Sequence, residues 1–184
     1  MRTLTHYRFA KYLLPLLPQD PALRRAFLFG CVEPDINLFS HLDFTKHKKS
    51  LHIHGHNHPY LDKRINRLAQ KLASQRTKIT PLYAFRLRVL LHYLADAFTF
   101  AHNTNFSGNF AAHNAYENSF HRYFEKRIER LPYEFWQKAQ PFHYPKMRKC
   151  FLKQKPSLSR DFSFILLATR SALHTFLPND KILR

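Results

Sequence analysis

Residues 81–101 of this 184-residue chain, PLYAFRLRVLLHYLADAFTFA, contain the clearest information about its architecture. This stretch is the longest apolar segment, and its apolar side chains lie nearly all round a helical period rather than on one stripe. A helix of this kind is stabilised by burial on every side, so we predict that it is the central helix of the protein. The segment also carries His92 and Asp96, and their spacing of four residues places them on one face of that helix.

The segments before and after this stretch also carry helix signals. We predict helices over residues 4–17, 21–32, 111–130 and 159–176, a further helix that begins at Pro59, and broken helices and loops over 132–158. The corner Glu33-Pro34-Asp35-Ile36-Asn37 is expected to be non-helical, since Pro34 disfavours the α conformation of the residue before it. Residues 38–57 are expected to form a long, basic, histidine-rich loop.

The composition favours an all-α fold. The chain has only three glycines and two valines, whereas sandwiches and barrels need turn glycines and β-branched strands. Hydrophobic residues make up 45% of the sequence, too large a share for a disordered polymer. Since there is no internal repeat and no low-complexity tail, we predict a single compact multi-helix domain over residues 1–184.

Charge and cysteine content restrict the partners and the compartment. Lys and Arg total 30 against 12 Asp and Glu, a formal net charge of +18, which favours nucleic acid, an anionic membrane surface or phosphate-bearing substrates as partners. The two cysteines, Cys31 and Cys150, are too few for a disulfide scaffold, and we interpret them as buried thiols in a reducing compartment. Basic residues and Pro15 interrupt the apolar N-terminus, which predicts no signal peptide. No apolar stretch reaches the roughly 18 residues of a spanning helix, so we expect a cytoplasmic protein, with or without peripheral membrane contact.

Two His–carboxylate pairs carry the chemistry of this sequence. His92 and Asp96 stand at i and i+4 on the predicted central helix, and His113 and Glu117 do so on the next helix. Taken singly, either pair also fits a helix salt bridge, and the first also fits a buried structural ion pair. Imidazole nitrogens and carboxylate oxygens are, however, good ligands for zinc and other divalent metals. His102, six residues after Asp96, either faces another direction or has left the helix. Together these residues exceed what one metal needs, so we predict a multinuclear site.

The order and spacing of these residues resemble the zinc-dependent phospholipase C family of bacteria, whose relatives include single-strand nucleases of the S1/P1 type. The family pattern runs from an early histidine through a Pro-Asp corner and a further histidine to H-x3-D-x5-H and then H-x3-E. The matching positions here are His6, Asp35, a histidine of the 52–58 cluster, His92, Asp96, His102, His113 and Glu117. In the 52–58 cluster the spacing favours His56, with His54 and His58 as close alternatives. The resemblance covers about residues 1–128.

The resemblance implies how these residues share metal ions. One zinc ion would be held by Asp35, the loop histidine, His92 and Asp96, and a second by His102, His113 and Glu117. A third ion, shared by Asp96 and His6, takes in the secreted relatives the free amine of an N-terminal tryptophan. This chain begins with Met1 and has no recognised signal peptide, so that ligand is expected to be absent or different. We therefore expect two zinc ions or three.

By the same resemblance the chain is expected to be a zinc-dependent hydrolase of phosphodiesters, with phospholipid as the first substrate class. Zinc acts on phosphoryl oxygens as a Lewis acid and lowers the pKa of bound water, and Asp35 is expected both to ligate zinc and to orient that water. Two alternatives stay open. One is a single-strand nuclease of the S1/P1 type, and the other is a non-catalytic, basic, metal-stapled protein that binds membrane or nucleic acid.

Overall fold

The structure, a computed structural model, describes residues 1–36, 42–43, 52–53, 58–75, 78–138 and 140–177. Helices dominate these residues, which confirms the predicted all-α fold. They are α1 (Thr3–Leu13), α2 (Pro21–Phe29), α3 (Glu33–Ile36), α4 (His58–Ala73), α5 (Pro81–Ala97), α6 (Phe110–Ile128), α7 (Glu134–Gln137), α8 (Tyr144–Lys153) and α9 (Leu158–Phe176). Short 3-10 helices at Leu14–Leu16 and Phe100–His102 follow α1 and α5. Among the described helices, none combines the length and the apolarity needed to cross a bilayer.

Helix α5 lies at the centre of the fold, as its composition predicted. Thr80 caps its start, because the Thr80 hydroxyl oxygen accepts the Tyr83 N–H at 3.1 Å. Pro81 takes the first position, where the missing proline N–H removes no helical hydrogen bond. Every residue from Leu87 to Ala97 is buried, and α2, α4 and α9 pack around this segment. Burial on all sides therefore explains why the helix has no polar face.

Helix α2 approaches α5 closely at Gly30, the residue after its last turn. A Cβ at this position would lie 2.6 Å from the carbonyl oxygen of Phe85 and 3.1 Å from the Cβ of Arg88. Only glycine allows two backbones to approach so closely. The contact carries the chain directly into α3, which then packs against the part of α5 that bears His92.

The prediction of a non-helical corner over residues 33–37 is wrong where the structure describes it, because residues 33–36 form the single helical turn α3. Pro34 is the second residue of that turn. At this position the absent proline N–H would have no helical acceptor, so proline is compatible with a helix start. The preference of the residue before a proline for extended conformations is thus overridden by the helix-start geometry.

Several predicted helices end earlier in the structure, and α2, for example, ends at Phe29 rather than at residue 32. α1 ends at Leu13 because Pro15 cannot donate the next helical hydrogen bond, and a 3-10 turn follows. α5 ends at Ala97, and the 3-10 turn Phe100–His102 is a separate element. Of the two possibilities left open for His102, the structure has the second, since His102 lies beyond the helix.

Part of the loop predicted over residues 38–57 is paired. β1 (Leu42–Asp43) and β2 (His52–Ile53) form an antiparallel pair in which Leu42 is opposite Ile53. Two residues per strand are too few to produce an alternating pattern, so the sequence contained no readable strand signal. The other residues of this segment lie outside the described part of the chain.

The two cysteines differ in exposure. Cys31 is buried, as predicted, whereas Cys150 is exposed, so the prediction of two buried thiols is wrong for the second. Cys150 lies on α8, whose buried residues include Arg148 and Phe151. It comes two residues after Arg148, about 200° further round the helix, and therefore faces outward.

Candidate metal centre

The start of α1, the single turn α3, the last turns of α5, the following 3-10 turn and the first half of α6 meet at one place. The side chains that they bring together are seven of the eight predicted metal ligands: His6, Asp35, His92, Asp96, His102, His113 and Glu117. These residues come from five elements that are up to about 110 residues apart in the chain. The helical packing described above, rather than local sequence, therefore assembles the site.

The first cluster consists of His6, Asp35 and His92, whose potential ligand atoms lie within 4.8 Å of one another. The rings of His6 and His92 are stacked, with centroids 3.6 Å apart and an interplanar angle of 9°. The Nε2 atom of His92 lies 3.3 Å from Oδ1 of Asp35. Both histidines are fully buried, while the Asp35 side chain retains 18% of its exposure. The cluster thus reaches solvent on its Asp35 side.

The hydrogen bonds of this first cluster leave room for a cation. Nδ1 of His92 lies 2.9 Å from the carbonyl oxygen of Cys31, and since a carbonyl only accepts, Nδ1 carries a proton. The opposite nitrogen, Nε2, faces carboxylate oxygens of Asp35 and Asp96 at 3.3 and 3.2 Å. Nitrogen and two oxygens can approach in this way only around a shared proton or a metal ion. Nδ1 of His6 is buried and has no hydrogen-bond partner among the described residues. This donor set fits zinc.

Asp96 links the first cluster to the rest of the centre. Its side chain is 1% exposed. Oδ1 accepts hydrogen bonds from the Met1 amine at 2.8 Å and from His6 at 3.1 Å, and Oδ2 lies 3.2 Å from His92. A buried carboxylate with three nitrogen partners is compensated rather than isolated. Asp96 is therefore placed to serve more than one metal position.

The second cluster consists of His102, His113 and Glu117, whose potential ligand atoms also lie within 4.8 Å of one another. Oε1 of Glu117 lies 2.9 Å from Nε2 of His102 and 3.5 Å from Nε2 of His113. The two imidazole rings meet edge to face at 5.0 Å. His113 keeps 29% of its side-chain exposure, so this cluster is also open to solvent on one side.

The amino group of Met1 in this chain lies between the two clusters. It is 2.8 Å from Oδ1 of Asp96 and 2.9 Å from Oε1 of Glu117, and it contacts Nε2 of His102. From the sequence we expected the tryptophan amine of the secreted relatives to be absent or different here, and in the structure the Met1 amine lies at this position. The signal available in the sequence was proximity, because Met1 precedes His6 by only five residues.

The electrostatics of the centre favour a bound cation. Burial would raise the pKa of Asp35, but the hydrogen bond from His92 lowers it to about 2. Burial would also raise the pKa of Asp96, but the Met1 amine and the nearby histidines hold it well below its usual range. Burial alone would lower the pKa of His92, yet the Asp96 and Asp35 carboxylates raise it to about 9. Burial and the charge of His92 lower the pKa of His6 to about 3. The carboxylates are thus ionised, and His92 carries the compensating proton.

The side chains of the three loop histidines considered as ligands lie outside the described part of the structure. His56, the favoured loop ligand, and its alternative His54 lie outside the described residues, and His58 is described only as the first backbone position of α4. Outside the centre, Nδ1 of His121 lies 2.9 Å from the hydroxyl of Thr5 and joins α6 to α1. His143 accepts a hydrogen bond from the backbone N–H of Lys146 at the start of α8.

A sequence model of one protein family, described as zinc dependent phospholipase C, matches residues 5–164. Comparison with curated proteins and with solved structures gave no significant match. The matched region contains every residue of both clusters, with Asp96 between them, and its all-α fold agrees with the helices described above. With its match extending over most of the sequence, the chain belongs to the zinc-dependent phospholipase C family.

Proposed function

We propose that this protein hydrolyses the phosphodiester bond of a phospholipid, with zinc held by the two clusters. The observation that carries the proposal is the convergence of two His–carboxylate clusters on one buried carboxylate, Asp96. A single structural zinc site needs four ligands. The centre offers seven side chains and an amine, which is the donor set of a multinuclear site.

The residues divide naturally between the metal positions. Asp35, His92 and Asp96 would serve the first position, and His102, His113 and Glu117 a second. Asp96, with His6 and the Met1 amine, offers the donors of a third. When bound, zinc supplies Lewis acidity toward phosphoryl oxygens and lowers the pKa of a coordinated water.

Asp35 is the residue best placed to take a proton from the attacking water. Oδ1 of Asp35 is engaged by His92 at 3.3 Å. Oδ2 has no hydrogen-bond partner among the described residues, so an acceptor is left for the water. The low pKa of this carboxyl keeps it ionised at neutral pH, in the form that accepts a proton. The single helical turn α3 and its proline hold the side chain in place.

The experiment compares zinc-loaded wild type with Asp35→Asn on vesicles of phosphatidylcholine, vesicles of phosphatidylglycerol, and single-stranded DNA. Asparagine keeps one oxygen ligand but cannot accept a proton, so we expect the helical fold and most of the zinc to remain. Lipid hydrolysis should fall about 10²–10⁴-fold, the usual contribution of a general base. The matched control is Asp20→Asn, since Asp20 caps α2 and asparagine caps a helix equally well.

The outcomes separate the possible functions. Cleavage of DNA without cleavage of lipid would show that the centre belongs to a nuclease. Wild-type turnover no higher than that of Asp35→Asn on all three substrates would contradict a hydrolase, and a metal-stapled binding protein would then be the better explanation.

A further inference from the structure

A buried carboxylate on α9 joins the two segments that carry the second cluster. Asp161 is fully buried. Its Oδ2 atom accepts the backbone N–H of Phe100 at 2.6 Å and the hydroxyl of Tyr116 at 2.7 Å. Phe100 opens the 3-10 turn that ends with His102, and Tyr116 immediately precedes Glu117 on α6. One oxygen atom therefore ties together the backbone turn of one candidate ligand and the helix of another.

The other oxygen of Asp161 is held equally firmly. Oδ1 accepts two hydrogen bonds from Arg160, at 3.0 Å from Nε and 2.7 Å from Nη2. The same guanidinium donates to the carbonyl of Gln154 at 2.8 Å and lies 4.0 Å over the ring of Phe151. With donors on both oxygens, the carboxylate cannot rotate without breaking several hydrogen bonds.

The 3-10 turn depends on such outside contacts because it is short. Its other end is fixed at Asn103, whose side-chain amide donates to the Thr99 carbonyl at 2.7 Å and whose oxygen accepts from Arg148. Arg148 also donates to the carbonyl of Ala97 at the end of α5. His102 thus lies on a turn held at one end by Arg148 and at the other by Asp161.

We propose that Asp161 is a positioning residue for the second cluster, which sets the separation of His102 and Glu117 through Phe100 and Tyr116. This inference rests on the proposed function, in that it takes the second cluster to hold a metal ion. The two ligand groups lie 2.9 Å apart in the structure, so a small shift of either segment changes the geometry offered to a metal. Residues that orient metal ligands in this way typically contribute about 10–100-fold to metal affinity.

The test uses Tyr116→Phe, which removes one hydrogen bond to Asp161 and leaves the aromatic ring in place. The matched control is Tyr144→Phe, because the hydroxyl of Tyr144 also donates to a carboxylate, that of Asp62 on α4. Metal-free full-length proteins are titrated with Co²⁺, and each binding step is followed by visible absorption. The His113→Ala variant identifies the Co²⁺-binding step of the second cluster, because it should lack that step.

We expect Tyr116→Phe to weaken this step about 10–100-fold and to leave the other steps unchanged, while Tyr144→Phe matches wild type throughout. Asp161→Asn should weaken the same step at least as much. Equal affinities in Tyr116→Phe and wild type, or equal weakening of all steps, would overturn the inference. If the His113→Ala variant showed every Co²⁺-binding step of the wild type, that result would instead contradict the proposed function.

Discussion

Replacing Asp96 by asparagine should destabilise the metal-free protein by about 3–5 kcal/mol, the usual cost of removing one partner from a buried ion pair. The Asp96 side chain is 1% exposed and accepts from the Met1 amine at 2.8 Å. It also faces the protonated ring of His92 at 3.2 Å. Asparagine has nearly the same shape, so the substitution creates no cavity. The substitution leaves the buried Met1 amine and the buried His92 ring with less compensating charge. The expected loss of unfolding free energy is therefore at the upper end of the range for single substitutions.

Zinc should increase this difference. At a free zinc concentration 100 times its dissociation constant, a single bound ion stabilises the wild type by about 2.7 kcal/mol. Loss of a charged ligand should weaken zinc binding at least as much as loss of a residue that hydrogen-bonds to a ligand. We therefore take the dissociation constant for zinc to rise about 100-fold in the variant. At the same zinc concentration the variant then gains only about 0.4 kcal/mol. The gap between the two proteins should therefore grow by about 2 kcal/mol on zinc addition.

The assay is urea unfolding followed by far-ultraviolet circular dichroism, with EDTA and then with zinc. The control is Glu125→Gln, which removes a carboxylate from the surface of α6, where it is 41% exposed and lies 3.6 Å from Arg8. A surface ion pair of this kind contributes about 0–1 kcal/mol, and zinc should stabilise this variant as it does the wild type. If Asp96→Asn lost no more stability than Glu125→Gln, or gained as much from zinc, Asp96 would not be the link between the clusters.

Two further predictions concern the stability of the protein, the first its dependence on pH without metal and the second the packing of α2 on α5. His92 has a pKa of about 9 in the folded state against an ordinary value of 6.5, so its contribution to stability is complete below pH 6.5 and is lost as the pH rises through 9. His6, with its pKa lowered to about 3, affects stability only below pH 6.5. In EDTA, the urea concentration at the unfolding midpoint of the wild type should thus decrease as the pH is raised from 6.5 to 9, and it should decrease less in Asp96→Asn. A wild-type midpoint that does not change over this pH range would refute the prediction. Gly30→Ala should cost about 1–3 kcal/mol by overpacking, because its new Cβ would lie 2.6 Å from the Phe85 carbonyl oxygen. A Gly30→Ala variant that unfolds in urea at the wild-type midpoint would count against the close packing of α2 on α5.

The sequence allowed the helices and the ligand pairs to be predicted wherever the signal was local. Apolar residues all round residues 81–101 indicated a central helix, and α5 is buried from Leu87 to Ala97. The pairs His92–Asp96 and His113–Glu117 lie on single helices, and in the structure each pair faces one side, at 3.2 and 3.5 Å. Helical periodicity fixes such relations without any knowledge of the tertiary fold.

Local rules failed where two of them competed. Pro34 disfavours a helical conformation in the residue before it, but it is also well suited to the start of a helix, and the second effect prevails in α3. The exposure of Cys150 depends on which side of α8 packs inward, and cysteine is too adaptable a residue to indicate that side.

The contacts that turn two ligand pairs into one centre were beyond local rules, because they join distant parts of the chain. The Met1 amine meets Asp96 across 95 residues, and Asp161 meets Phe100 across 61. Neither residue belongs to a motif. The sequence indicates the Met1 amine only through its proximity to His6, and an aspartate in a helix is ordinarily a surface residue. The role of Asp161 is indicated only by the structure, through its burial and its hydrogen-bond partners. Burying a carboxylate is costly unless it is hydrogen-bonded, and the partners of Asp161 belong to two segments that carry candidate ligands. In this protein the ligand types follow from sequence spacing, whereas the distances between them follow from how α1, α3, α6 and α9 pack around the end of α5.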